Sequence, residues 1–128
     1  MNAMATDKAL SFFATWQKYR EYLLGAIEYT YGTHTEDDVL LMIIAGRLRI
    51  WTGEKSALVT EFQEYPQMKV LNVFIGGGDL DELRDMEKNL IPFARANGCK
   101  RITGTGRLGW TKTLPGYAPG GYFMYKDI

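Results

Sequence analysis

The residues best suited to chemistry in this chain are three consecutive glycines and three carboxylates at the start of a predicted helix. The segment comprises Gly76, Gly77, Gly78, Asp79, Leu80, Asp81 and Glu82. Glycines let a backbone approach a phosphate closely, and the amides and dipole of a helix N-terminus attract an anion. However, Asp79 as N-cap would accept hydrogen bonds from those amides, and the other carboxylates would repel a phosphate. Capping is therefore favoured, and anion binding stays open.

A second glycine pattern, Gly104-Thr105-Gly106-Arg107-Leu108-Gly109, follows a predicted strand. Gly-x-Gly-x-x-Gly in this position is typical of dinucleotide-binding folds, which need a long helix and another parallel strand afterwards. Fewer than 20 residues follow Gly109, so the glycines are expected only to shape a bend. Arg107 stays a candidate to hold an anion or a carboxylate of a partner.

Metal binding and disulfide chemistry find no support in the sequence. Cys99 is the only cysteine and His34 the only histidine, so the chain lacks the cysteine pair or second histidine typical of zinc sites. A lone cysteine forms no intramolecular disulfide and fits a reducing compartment. Since His34 precedes a helix cap, a loop role is favoured over catalysis. We predict no metal site.

The elements that must position these residues begin with two helices and three strands. Apolar residues at helical spacing predict a helix from Ser11 to about Tyr29, and Thr35 caps a second helix that ends at Gly46. Strands in antiparallel succession are predicted at 48–51, 57–65 and 68–75. The third strand is apolar on both faces, as expected of a central strand. Its alternation predicts Val70 and Phe74 on one face, with Leu71, Val73 and Ile75 on the other.

The second half of the chain continues the mixed pattern. A long helix is predicted over 80–96 and a strand over Cys99–Thr103. A short helix around 110–114 and a final strand at Tyr122–Tyr125 complete the order. We therefore predict one α/β (α+β) domain over residues 1–128, a mostly antiparallel sheet flanked by helices, with residues 1–9 disordered.

Charge and hydropathy exclude several classes of function. Basic and acidic residues number 15 each, so no net field draws the chain to nucleic acid or anionic lipid. The most apolar run, Val39–Ala45, is far too short to cross a bilayer, and residues 1–8 lack the apolar core of a signal peptide. We expect a protein that stays inside the cell or particle in which it was made.

The order of elements resembles that of the GNAT (N-acetyltransferase) fold. A more specific similarity, to small bacteriophage and prophage GNAT-like proteins, runs from about Thr35 to the C-terminus. The segments that carry this phage similarity are Trp51–Ala57, Tyr65-Pro66, Gly77–Leu83, Gly98-Cys99 and Gly106–Trp110. The pair Gly116-Tyr117 belongs to the GNAT resemblance, since that family usually has Gly-Phe or Gly-Tyr at this place. Most proteins of this kind lack an established activity.

The resemblance implies acetyl-CoA as cofactor, if one binds at all. GNAT enzymes hold its pyrophosphate on the loop that opens the long helix, which implies as ligands Gly76, Gly77, Gly78, Asp79 and Leu80. The Arg or Gln that usually leads this loop is replaced by Phe74 or Ile75.

The catalytic residues that the resemblance implies are incomplete. Lys112 stands where the family often has a tyrosine as general acid, and Tyr117 is a shifted candidate for that role. Glu61 and Glu64, on the second predicted strand, are the candidates for a general base, although a solvated strand residue is the alternative for each.

Two main functions follow from these expectations, and a small regulatory binder of a host enzyme is the third alternative. The first is a GNAT-like phage-encoded protein without standard acetyltransferase activity, acting as a virion-associated or protein-binding component in the host cytoplasm or the phage particle, with other phage structural proteins as partners. The second is an acetyl-CoA-dependent N-acetyltransferase that modifies a host protein or a small amine. The aromatic C-terminus, with Tyr117, Tyr122 and Tyr125, is expected to be either a hydrophobic lid over the sheet or, if exposed, a protein contact.

Overall fold

The computed structural model describes residues 3–105 and 114–128, with side chains from Leu10 onward. Three helices are present in these two ranges: α1 (Ala3–Ile27), α2 (Glu36–Ile44) and α3 (Leu80–Ala96), with a 3-10 turn at Glu28–Thr30 after α1. Four strands are present among these residues: β1 (Arg49–Thr52), β2 (Ser56–Glu64), β3 (Lys69–Gly78) and β4 (Cys99–Gly104).

The strands form one sheet in the order β1-β2-β3-β4. Strands β1, β2 and β3 are antiparallel neighbours, and β4 lies parallel to β3 after the crossover through α3. The mixed fold class and the antiparallel succession predicted from the sequence are confirmed.

Each face of the sheet carries its own hydrophobic core. The face covered by α1 and α2 buries Trp16, Tyr19, Leu23, Val39, Leu48, Ala57, Val59 and Ile75. The face covered by α3 buries Leu58, Leu71, Leu83, Leu90, Ala94 and Cys99. Burial on both faces is what the apolar third strand predicted.

A bulge in β3 changes which of the two cores its side chains enter. Val59 of β2 lies opposite Ile75, but the next residue, Thr60, lies opposite Val73, so Phe74 is an extra residue on β3. An extra residue moves every later side chain of a strand to the other face. Val73 accordingly packs on the α3 side, whereas Ile75 packs on the α1 side. The prediction that they share a face is wrong for this reason.

A partly buried carboxylate connects α1 to α2. Glu36 Oε1 accepts hydrogen bonds from Trp16 Nε1 at 2.8 Å and Arg20 Nε at 2.9 Å, and its Oε2 accepts from Arg20 Nη2 at 2.8 Å. Thr35 caps α2 as predicted, since its hydroxyl accepts from the Asp38 amide and the Asp38 carboxylate accepts from the Thr35 amide. The start of α2 is therefore stabilised by its own cap and by the contacts of Glu36 with α1.

At both ends of the chain the structure differs from the elements that the sequence predicts. Helix α1 begins at Ala3, ahead of Ser11, and the disorder expected for residues 1–9 stays a prediction. Residues 117–128 contain no helix or strand, so the predicted strand Tyr122–Tyr125 is wrong. Its side chains are exposed, and a lone segment without a paired neighbour gains no ladder hydrogen bonds. The helix predicted around 110–114 lies largely outside the described residues.

We expect Glu36→Gln to destabilise the fold by about 1–2 kcal/mol at pH 7, because Gln keeps an acceptor for Trp16 but loses the charge facing Arg20. The hydrogen bonds from Arg20, then Trp16, hold the pKa of Glu36 below its usual value. A lowered pKa stabilises the folded state above the unfolded pKa of about 4.3, and this stabilisation is lost as the pH falls through the folded pKa. Urea unfolding from pH 7 to pH 3 should therefore show a shallower loss of stability in the variant.

Asp37→Asn is the matched control, since Asp37 is an exposed carboxylate in the same helical turn. Its unfolding free energy should stay within about 0.5 kcal/mol of the parent. Equal stability of Glu36→Gln and Asp37→Asn would contradict the role given to Glu36.

Candidate functional site

The three glycines do not form a loop. They extend β3, where Gly76, Gly77 and Gly78 lie opposite Leu58, Ala57 and Ser56 of β2. The prediction of a glycine loop before the long helix is therefore wrong, because ladder pairing with β2 continues to the end of the run.

Close backbone contacts account for the last two glycines of the run. A Cβ at Gly77 would overlap the backbone carbonyl oxygen of Tyr22, where α1 crosses the sheet. A Cβ at Gly78 would overlap the carbonyl oxygen of Lys55, and the φ of Gly78 is +115°. Glycine is the residue that permits such an approach and such a backbone angle. Both glycines thus serve packing between elements.

The first turn of α3 is occupied by the protein's own groups. Asp79 is the N-cap, as predicted, and its Oδ1 accepts from the Glu82 amide at 2.9 Å. The Asp79 amide donates to the Lys55 carbonyl at 3.1 Å. The Glu82 carboxylate turns to the β1–β2 connection, where it accepts from the Lys55 amide and the Ser56 hydroxyl. The Ser56 hydrogen bond, then that of Lys55, lowers the pKa of Glu82, so this anion is held in place beside the helix start.

A cleft opens where the pairing of β3 with β4 ends. The last paired residues are Val73 and Gly104, while β3 continues to Gly78. The cleft has a volume of about 640 Å³, within the size range of small-molecule sites. Crevices at the carboxyl ends of parallel strands are common ligand sites in α/β proteins.

The described residues that line the cleft come from Tyr31, Leu58 of β2, β3, the first turns of α3, the end of β4 with Thr105, Leu114, and residues 117–123. Of the residues predicted to bind a cofactor, Gly76 and Leu80 line the cleft. Gly77, Gly78 and Asp79 are not among the described residues that line it. Two residues of the predicted cofactor segment therefore line the cleft, while the other three contact neighbouring elements or cap α3.

Tyr117, predicted as a shifted general acid, lies in this cleft. Its hydroxyl donates to Glu87 Oε1 at 3.1 Å. Burial, together with the charge of Glu87, raises the pKa of Tyr117 above its ordinary value, so the hydroxyl keeps its proton at neutral pH. Sequence reasoning missed Glu87, although its spacing from Leu83 and Leu90 places it on the buried stripe of α3.

The two predicted bases lie elsewhere. Glu61 Oε1 accepts from Asn72 Nδ2 and from Gln63 Nε2, both at 3.0 Å, and Thr103 Oγ1 donates to Asn72 Oδ1 at 2.9 Å. This polar row crosses β2, β3 and β4. Glu61 lines a smaller cavity of about 130 Å³ instead of the cleft, while Glu64 is exposed at the end of β2. Only Thr103 connects the polar row to the cleft.

The remaining candidates are His34, Arg107 and Lys112. The His34 ring meets the edge of Phe74 with centroids 4.8 Å apart, and its Nδ1 lies 2.7 Å from Thr33 Oγ1. His34 therefore packs against the bulge of β3. Arg107 and Lys112 lie outside the described residues.

Within residues 3–105 and 114–128, no group of three His, Cys, Asp or Glu side chains is arranged to hold a metal ion. No helix in these same ranges has the length and apolarity needed to cross a bilayer.

Neither a family model, nor a curated protein, nor a solved structure matches this chain. These comparisons therefore assign no function to the site.

We expect Gly77→Ala to destabilise the fold by about 1–3 kcal/mol or more, because the new methyl group meets the backbone of α1. Gly25→Ala is the matched comparison, since an added Cβ at this exposed position of α1 meets nothing within 4 Å. That substitution should stabilise the protein by about 0.5–1 kcal/mol. Urea unfolding followed by tryptophan fluorescence measures both. Equal stability of Gly77→Ala and the parent would reject the packing role of Gly77.

Proposed function

We propose that this chain is a GNAT-like domain without standard acetyltransferase chemistry, which acts as a protein-binding component. The observation that carries the proposal is an exposed apolar run near the C-terminus, called here the aromatic segment. Its residues and exposed fractions are Tyr122 (78%), Phe123 (62%), Met124 (86%) and Tyr125 (60%). A contiguous apolar surface of this kind on a small domain is typical of an interaction site.

Tyr31 extends this apolar surface. Its ring, 48% exposed, stacks on Phe123 with centroids 5.6 Å apart and meets Tyr125 at 5.0 Å. Aromatic side chains are enriched among the residues that dominate binding energy at protein interfaces. The three rings thus offer a preassembled contact surface to a partner.

The contacts at the start of α3 favour a domain without standard acetyltransferase chemistry. The amides of Asp79 and Glu82 already have acceptors within the protein, and the carboxylates of Asp79, Asp81 and Glu82 surround the same turn. A pyrophosphate placed there would meet like charge and would have to displace the cap.

The resemblance to small phage proteins supports a location in the host cytoplasm or the phage particle, with other phage structural proteins as partners. Quantitative mass spectrometry of purified particles tests the particle location. A fixed copy number per particle supports it, and absence from particles restricts the proposal to a cytoplasmic partner.

A second candidate function is an acetyl-CoA-dependent N-acetyltransferase. The cleft of about 640 Å³ favours it, since it lies at the end of the parallel strand pair and contains the Tyr117 hydroxyl. The glutamates proposed as bases do not line this cleft, which weighs against this candidate.

We expect acetyl-CoA at about 1 mM to leave the melting temperature of the protein unchanged within about 1 °C. Binding at 100 times the Kd would add about 2.7 kcal/mol, a rise of more than about 5 °C for a domain of this size. Differential scanning fluorimetry measures the shift, with an active GNAT enzyme as positive control. A rise of several degrees would instead support the acetyltransferase candidate.

We expect the double substitution Phe123→Ser and Met124→Ser to reduce partner binding at least tenfold while leaving the melting temperature unchanged, because neither side chain belongs to a core cluster. Immobilised parent and variant are compared for retention of phage structural proteins. Leu41→Ser is the control, since Leu41 is 65% exposed on α2. A partner that both variants retain equally would contradict the role of the aromatic segment.

A further inference from the structure

We propose that residues 117–125 form a strap that closes the cleft and opens when its aromatic rings leave Tyr31. The strap is defined by this range, and residues 117–123 within it line the cleft. This device is independent of which partner the protein binds, because it concerns only access to the cleft.

The described residues attach the strap at two points. At its start, the Tyr117 hydroxyl donates to Glu87 Oε1 on α3 at 3.1 Å. At its end, the Phe123 ring stacks on Tyr31 with centroids 5.6 Å apart, and the Tyr125 ring meets Tyr31 at a tilt with centroids 5.0 Å apart. The cleft therefore has one wall that is held at its two ends by side chains.

Between these points the strap has features of a hinge. It contains no helix or strand, and Gly120 and Gly121 stand side by side, with the φ of Gly121 at +129°. A Cβ added at either glycine would meet nothing within 4 Å, so this part of the strap is not packed against the body. Backbone of this kind changes conformation at low cost.

The two attachments differ in how easily they are released. Tyr117 is half-buried and its hydrogen bond ends on a charged carboxylate, whereas Phe123 and Tyr125 are 62% and 60% exposed. Stacking between exposed rings is the weaker of the two contacts. The strap should consequently open at its C-terminal attachment and pivot at the glycines.

Tyr31 is the fixed side of this contact. It follows the 3-10 turn Glu28–Thr30, and its backbone has φ +55°, a value uncommon for a residue other than glycine. Its amide donates to the Glu28 carbonyl at 3.3 Å, which holds the turn. The ring is thus presented from the end of a helix that crosses the sheet, while the strap supplies the movable rings.

Thiol labelling of a cleft residue tests the strap. Val73 lines the cleft and Cys99 is buried in the α3 core, so Val73→Cys in a Cys99→Ala background gives one reporter thiol. We expect Tyr31→Ala to raise the rate of N-ethylmaleimide labelling about tenfold, equivalent to about 1.4 kcal/mol of lost closure. Tyr31→Phe, which keeps the ring, should label at the parent rate.

Two further variants separate the strap from general destabilisation. Tyr65→Ala removes another exposed tyrosine, which lies outside the cleft lining, and should leave the labelling rate unchanged. The double substitution Phe123→Ala and Tyr125→Ala removes the movable rings without touching either core, and should match Tyr31→Ala. Parent-like labelling of both Tyr31→Ala and the double variant would overturn the proposal, as would equal acceleration by Tyr65→Ala.

Discussion

The bulge at Phe74 is the constraint on which the rest of the structure depends. Because one extra residue enters β3 there, Val73 faces α3 while Ile75 and Gly77 face α1. Regular alternation would place Val73, Ile75 and Gly77 on one face, whereas the bulge divides them between the two faces, and Gly77 meets α1 where the helix crosses the sheet. Pairing with β4 ends at Val73, the residue before the bulge, so the cleft opens at the same point. The position of this bulge thus coincides with both the change of face along β3 and the opening of the cleft.

The glycines and carboxylates of residues 76–82 are residue types that can bind or repel an anion, and here they serve packing and helix capping. Three glycines before a helix are chemically suited to hold a phosphate. Here Gly77 and Gly78 instead admit the backbones of Tyr22 and Lys55, and Glu82 fastens the start of α3 to the β1–β2 connection. The carboxylate of Glu82 therefore connects the start of α3 to the β1–β2 connection.

The cleft and the proposed interaction surface are not separate regions. Tyr31, Tyr122 and Phe123 line the cleft and also belong to the exposed aromatic surface. A partner that covers these rings would alter the access to the cleft, and a ligand in the cleft would alter the presentation of the rings. Coupling of this kind requires only that both ligands contact one movable element.

The sequence by itself determined the elements whose signals are local. Periodicity and caps located α2 with Thr35, α3 with Asp79, the three antiparallel strands and β4. What only the tertiary structure decided depends on contacts distant in sequence. The sequence predicted a loop at the three glycines because their pairing with β2 and their contact with α1 leave no local signal. The bulge in β3 depends on the register between two strands, which local patterns do not contain. The role of Glu87 depends on its hydrogen bond with Tyr117, a residue distant in sequence, so no local signal pointed to it. Tyr122–Tyr125 has the composition of a strand, but composition supplies no neighbour to pair with, and the described structure leaves it exposed.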